Sequence, residues 1–104
     1  MNEPLKFDKE KVRTDLVPAE IVWEVAEVFT FGAKKYADWN YLKGDGQQWW
    51  QQWGAALRHI WQWVMGEDND PESGKSHLAH AICCLMMLRM LQKYKPHMDC
   101  RKLQ

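Results

Sequence analysis

The sequence has no excess of charge. Lys plus Arg and Asp plus Glu number 14 each, so the formal net charge at pH 7 is zero. Without a positive balance there is no bulk electrostatic draw toward duplex nucleic acid or an anionic membrane surface. No apolar run approaches the roughly 20 residues that cross a bilayer, and the N-terminus lacks a signal-peptide core. Cysteine is scarce and odd in number: Cys83 and Cys84 are neighbours on one predicted helix and point to different sides, while Cys100 lies in a polar tail. Such a set makes no disulfide framework and argues for reduced thiols in a soluble, cytoplasmic protein. Period-two alternation is missing too, as are hairpin turns between β-branched runs, which argues against a sheet.

Tryptophan is over-represented instead. Six of the seven, Trp39, Trp49, Trp50, Trp53, Trp61 and Trp63, fall between residues 39 and 63. Each buries roughly 150–250 Å² when covered, so this segment must build a core or meet something flat. At 104 residues the chain has room for one hydrophobic core. Residues 1–17 show no sustained period and read as an extended arm, residues 18–95 as a helical domain, and residues 96–104 as a polar tail. Pro18 suits a first helical turn, and Ile21, Val22, Val25, Val28 and Phe29 carry the helical spacing to about Tyr36. After the Gly44-Asp45-Gly46 loop a second helix runs from Trp49 to Gly66, a fitting C′ residue. It is apolar on more than one face, so it is expected either at the centre of the fold or shared with another subunit. Ser76 is a good N-cap for a third helix ending near Tyr94 and Pro96. The expected fold is therefore an all-α bundle of about three main helices, completed by oligomerisation.

The chemistry concentrates between Arg58 and His80. His59, His77 and His80 flank an acidic loop, Glu67-Asp68-Asn69-Asp70-Pro71-Glu72-Ser73-Gly74, and two helices joined by a short loop lie back to back, so the three imidazoles can converge. Nitrogen ligands beside carboxylates suit a divalent metal or a proton-transfer site, while the plainer alternative is that the histidines cap helix ends. The loop is not a calcium-binding EF-hand, because glycine falls one place late at Gly74 and Ala79 stands where a bidentate glutamate should close it. Asp70 before Pro71 instead caps a tight turn, and Gly74 permits a positive φ. Glu24 and Glu27 share a face of the first helix and could begin a carboxylate set, or could be solvated. Lys34, Lys35, Tyr36, Trp39 and Asn40 join cations, aromatic planes and an amide within seven residues, the groups that phosphate, base face and base edge require. Arg58, inside an apolar helix, needs an anionic partner. Arg13 in the arm and Ser73 in the turn complete the ligand-binding candidates.

Several separated blocks carry a resemblance to a known family. They are Lys6-Phe7-Asp8, Arg13-x-Asp15-Leu16-x-Pro18, Phe31-Gly32-Ala33-Lys34-Lys35-Tyr36 with Asn40, Ala55-Ala56-Leu57-Arg58-His59, Gly66-Glu67-Asp68-x-Asp70-Pro71-Glu72-Ser73-Gly74 and His77-Leu78-Ala79-His80-Ala81. Over roughly residues 5–92 the chain resembles the phage dATP/dGTP diphosphohydrolase N-terminal domain family. The resemblance implies a small all-α protein of bacteriophage origin, acting in the host cytoplasm, tied to purine deoxynucleotides and distantly to MazG-type pyrophosphatases. Those enzymes hold magnesium on carboxylates, whereas His77 and His80 stand at the corresponding third-helix positions here. Two readings follow. In a hydrolase, Glu24, Glu27, Glu67 and Asp70 would supply ligands for Mg²⁺ or Mn²⁺, and His59, His77 and His80 would be the catalytic candidates. In an oligomeric sponge that sequesters the cyclic nucleotide signals of bacterial immunity, no cofactor is required and the histidines and Arg58 would hold phosphates. The expected partner is a purine nucleotide or a cyclic nucleotide, with no membrane and no duplex nucleic acid.

Overall fold

The computed structural model describes residues 3–5 and 9–101, which form three α-helices and three single 3-10 turns. The Lys6-Phe7-Asp8 block, the first two residues of the arm and residues 102–104 of the tail lie outside the described residues. The protein is all-α, as its periodicity implies.

Helix α1 spans Ala19–Lys35. Pro18 stands one place before the first turn, as N-cap, and its carbonyl accepts the N–H groups of Ile21 and Val22 at 3.1 Å each. Val25 and Val28, three apart, are the residues α1 buries, while Ile21, Val22 and Trp23 stay exposed. Lys34 and Lys35 in the last turn complement the negative end of the helix dipole. The arm before α1 contains one 3-10 turn, Thr14–Leu16, beside which Arg13 pairs with Asp15 at 2.7 Å.

Helix α2 spans Trp49–Val64, and at its start the Gln48 backbone N–H donates to Gln51 Oε1 at 3.1 Å. Gly66 follows at φ +104, and its N–H reaches Trp63 O at 3.0 Å. Helix α3 spans His77–Tyr94, with Ser76 Oγ accepting the Leu78 N–H at 3.1 Å as N-cap.

The central helix is α3 rather than the tryptophan-rich α2: α3 packs against α2 on one side and α1 on the other. Small side chains allow this, because Ala79, Ala81, Cys83 and Cys84 on α3 are all buried. One core cluster joins Val25 and Val28 to Ala79 and Cys83. The other joins Tyr41, Trp49 and Leu91, with Trp53 and Met98 packed against it. Large apolar side chains remain in solvent, among them Trp50, Leu57, Trp61 and Val64 on α2 and Leu78, Ile82 and Leu85 on α3.

Gly46 shows how tightly the second cluster closes. It sits at φ +81, and an added Cβ would lie 2.8 Å from Leu91 Cδ2 and 3.3 Å from Tyr41 O. Gly46→Ala is expected to lower the unfolding free energy by about 1–3 kcal/mol, through strain and displacement of the buried Leu91. Urea denaturation of the two proteins measures this.

Candidate functional site

Two hydrogen bonds tie α2, the acidic loop and α3 together. His77, the first residue of α3, is 0% exposed, so both of its ring nitrogens need partners. Its Nε2 meets Glu67 Oε1 at 2.7 Å and its Nδ1 meets His59 Nδ1 at 2.8 Å. Because the carboxylate can only accept, Nε2 of His77 carries a proton, and in the singly protonated ring Nδ1 then accepts from His59. His80, three residues along α3, stacks on the His59 ring with centroids 4.5 Å apart and planes at 15°, and its Nε2 lies 2.6 Å from Ser73 Oγ.

The loop is shaped to present Asp70. Gly74 at φ +74 closes the turn, its N–H donating to Asp70 O at 2.8 Å, and the Asp70 N–H donates to Lys75 O at 2.8 Å. Asp70 Oδ1 accepts the backbone N–H groups of Glu72 and Ser73 at 2.8 and 3.1 Å. Burial opposes charge on Asp70, but those N–H groups, with His80 and His59 nearby, outweigh it and hold the carboxyl below its usual range. For His59, burial and then the neighbouring His80 and His77 rings push the pKa down to about 4. Burial lowers His80 as well, against the opposing pull of Asp70. Both rings are therefore neutral at pH 7. Cys83 and Cys84 are pushed up to about 12 and about 11 by burial, so neither is a thiolate nucleophile.

A cleft of about 590 Å³ opens beside this cluster, between the C-terminal half of α1 and the polar side of α2. Lys35, Tyr36, Trp39, Asn40, Arg58, His59, Asp70 and His80 all line it. Arg58 makes no hydrogen bond or ion pair with any described residue, so its guanidinium is available there. Lys35 already pairs with Glu72, at 3.0 and 2.8 Å. Trp39 holds a left-handed backbone, φ +57, which a bulky side chain adopts only under strain of roughly 1–3 kcal/mol. Its indole is 64% exposed and borders both the cleft and a second, more apolar hollow of about 720 Å³ near Met86 and Met90.

Other candidates fall elsewhere. Arg13 is engaged by Asp15, and neither Arg13 nor Lys34 lines the cleft. Ser73 and His77 stand behind it, as partners of His80 and His59. Glu27 pairs with Lys75 at 3.4 Å. Among the described residues the one set of three potential ligands whose donor atoms lie within 4.8 Å of one another is His59, Asp70 and His77; Glu24, Glu27 and Glu67 are not in it. The magnesium that a MazG-type resemblance implies demands near-octahedral oxygen ligation, and two imidazoles with one carboxylate do not fit it. Sequence reasoning missed the glutamines: Gln47, Gln51, Gln52 and Gln62 line the cleft, and Gln52 Nε2 donates to Gln47 Oε1. The signal was the spacing of Gln51, Arg58, His59 and Gln62, a polar stripe at helical period.

These features define a small all-α domain whose polar cleft ends on a histidine–carboxylate cluster. The chain belongs to the dATP/dGTP diphosphohydrolase N-terminal family, whose model matches residues 1–101. It is 33% identical over 100 residues to a dATP/dGTP diphosphohydrolase of Salmonella phage PMBT28, an alignment covering 94% of this chain and 33% of that protein. The chain thus spans about a third of the length of the curated relative it matches. No solved structure matches it.

The neutrality of His59 has a pH consequence. The unfolded ring protonates near 6.5 and the folded one near 4, so the unfolded chain binds more protons between these values. Stability is therefore expected to fall as pH drops from about 6.5 toward about 4. Because solvent reaches part of the ring, the loss from His59 should be of order 1 kcal/mol. Urea midpoints at pH 7.5, 6 and 5 measure the slope, which His59→Gln should flatten.

Proposed function

We propose that this domain binds a purine deoxynucleoside triphosphate in the cleft between α1 and α2. The observation that carries the reading is the gathering in one cleft of Arg58 and Lys35 with Tyr36, Trp39 and Asn40. An arginine without a hydrogen-bond or ion-pair partner among the described residues suits a phosphate, an exposed aromatic plane suits a base, and an amide suits a base edge. A volume of about 590 Å³ lies within the roughly 300–1,000 Å³ of small-molecule sites. The strain at Trp39 fits a residue that serves through its position at the cleft mouth rather than through stability. The purine comes from the phage relative, which is named a dATP/dGTP diphosphohydrolase. Nothing in the cleft favours a cyclic ligand over a linear one, so the linear triphosphate is the reading taken.

Equilibrium binding of dATP and dGTP, by calorimetry with and without divalent metal, tests this. The wild-type chain is expected to bind, and Arg58→Ala to bind at least about 10-fold more weakly, since hydrogen bonds to charged groups contribute about 1.5–3 kcal/mol. Trp39→Asn should weaken binding roughly 5- to 150-fold by removing a stack of about 1–3 kcal/mol. That variant should be no less stable than the parent, because Asn accepts the left-handed backbone. Absent binding by the wild-type chain, or an unchanged affinity in Arg58→Ala, overturns the proposal. Denaturing the mixture and separating the nucleotides assigns the outcome: pyrophosphate release marks a hydrolase, intact recovery a binding domain that does not cleave.

The working form in this reading is a homo-oligomer in the cytoplasm, where deoxynucleotides are. Its support is the apolar face of α2, with Trp50, Leu57, Trp61 and Val64 exposed at helical spacing. Light scattering after gel filtration should give a mass above that of one 12.4 kDa chain. Trp61→Glu is expected to shift it toward the monomer without loss of helicity. A wild-type monomer at micromolar concentration sinks this part of the reading.

A further inference from the structure

His59 and His77 meet ring nitrogen to ring nitrogen, Nδ1 to Nδ1 at 2.8 Å. One proton between the two imidazoles satisfies that contact, yet a third potential ligand atom converges on the same space: a carboxylate oxygen of Asp70 joins a nitrogen of each ring within 4.8 Å. The geometry points to a divalent transition-metal site built by His59, Asp70 and His77, of the borderline class to which Zn²⁺ and Co²⁺ belong.

Each ligand is oriented by a second contact. Glu67 Oε1 accepts the Nε2 proton of His77 at 2.7 Å, which fixes the tautomer that leaves Nδ1 with its lone pair facing His59. A carboxylate on the far N–H is how ligating histidines are commonly held. Asp70 is set by the N–H groups of Glu72 and Ser73. His80 braces the His59 ring by stacking, with its own Nε2 engaged by Ser73 Oγ. Two nitrogens at about 2.0–2.1 Å from a tetrahedral ion stand roughly 3.3 Å apart, so the imidazole pair must open by only about half an ångström. The proton shared between the rings leaves to solvent or moves to His59 Nε2, since a metal takes the deprotonated nitrogen. Two imidazoles and one carboxylate favour zinc-like ions over magnesium and calcium, which take oxygen. Three protein ligands leave a coordination position free, and His59 and Asp70 border the cleft, where that position can meet water or an anionic oxygen.

The site stands apart from the nucleotide reading and is tested with metal alone. The chain is stripped with chelator in a Cys100→Ser background, which removes the exposed thiol as a competing ligand. Co²⁺ is then titrated and followed by its visible absorption. One equivalent should bind, Zn²⁺ should displace it, and Mg²⁺ at the same concentration should not. Asp70→Asn keeps an oxygen for the two N–H groups, and His59→Ala leaves buried His77 in place; each should weaken Co²⁺ binding at least 10-fold with an unchanged circular dichroism spectrum. No cobalt absorption in the folded chain, or unweakened binding by both variants, overturns the site, and displacement by Mg²⁺ overturns its class. If cobalt binds and dATP does not, the nucleotide reading alone falls; the reverse result sinks the metal site alone.

Discussion

A fully buried imidazole at the start of α3 must find partners for two ring nitrogens, and the way His77 does so organises this end of the protein. One nitrogen reaches back to Glu67, just past the end of α2; the other reaches across to His59 on α2 itself. An unpaired nitrogen in that position would carry a desolvation penalty of about 1–3 kcal/mol. The chain leaving α2 must therefore return so that Glu67 stands over α3. The His77 N–H to Asp68 O bond of 2.9 Å and the bridge between Asn69 and Ser76 hold that return in place. The Asp70 turn, and with it the acidic end of the cleft, inherits its position from this arrangement.

Helix α2 is turned in an unfamiliar sense. In an ordinary bundle the apolar stripe faces inward and the polar stripe meets water. Here Trp49, Trp53 and Ala56 face the core, but Gln51, Gln52, Arg58, His59 and Gln62 line the cleft while Trp50, Leu57 and Trp61 look out. The glutamines and Arg58 thus serve a cavity, while the tryptophans of α2 divide between the core, with Trp49 and Trp53, and the exposed outer face, with Trp50, Trp61 and Trp63.

Much of the architecture was legible because it depends on local signals. Ser76 as a cap and Gly66 and Gly74 at positive φ follow from side-chain chemistry that acts within a few residues, whereas of the five apolar residues at helical spacing on α1 only Val25 and Val28 are buried and Phe29 is half-buried. The convergence of His59, His77 and His80 was legible for a similar reason, since short loops force neighbouring helices together. The placing of α2 was not. Its apolar residues on more than one face left it either central or shared with another subunit; centrality goes to the element that two neighbours can approach closely, and the alanines and cysteines of α3 permit that where the indoles of α2 do not. Glu24 and Glu27 were equally beyond reach, because whether a surface carboxylate faces a loop lysine or a shared ion depends on the path of a distant segment, here the one carrying Lys75.

The contacts that span from α1 to the acidic loop, Lys35 with Glu72 and Lys75 with Glu27, differ in kind from those that pack α1 on α3. They stand in solvent, where dissolved ions compete for each partner, whereas the apolar seam is insensitive to such competition. One rim of the cleft is consequently fastened by charge and its floor by packing. Ionic strength acts on the rim first, so the medium adjusts how freely the cavity opens without touching the framework that shapes it.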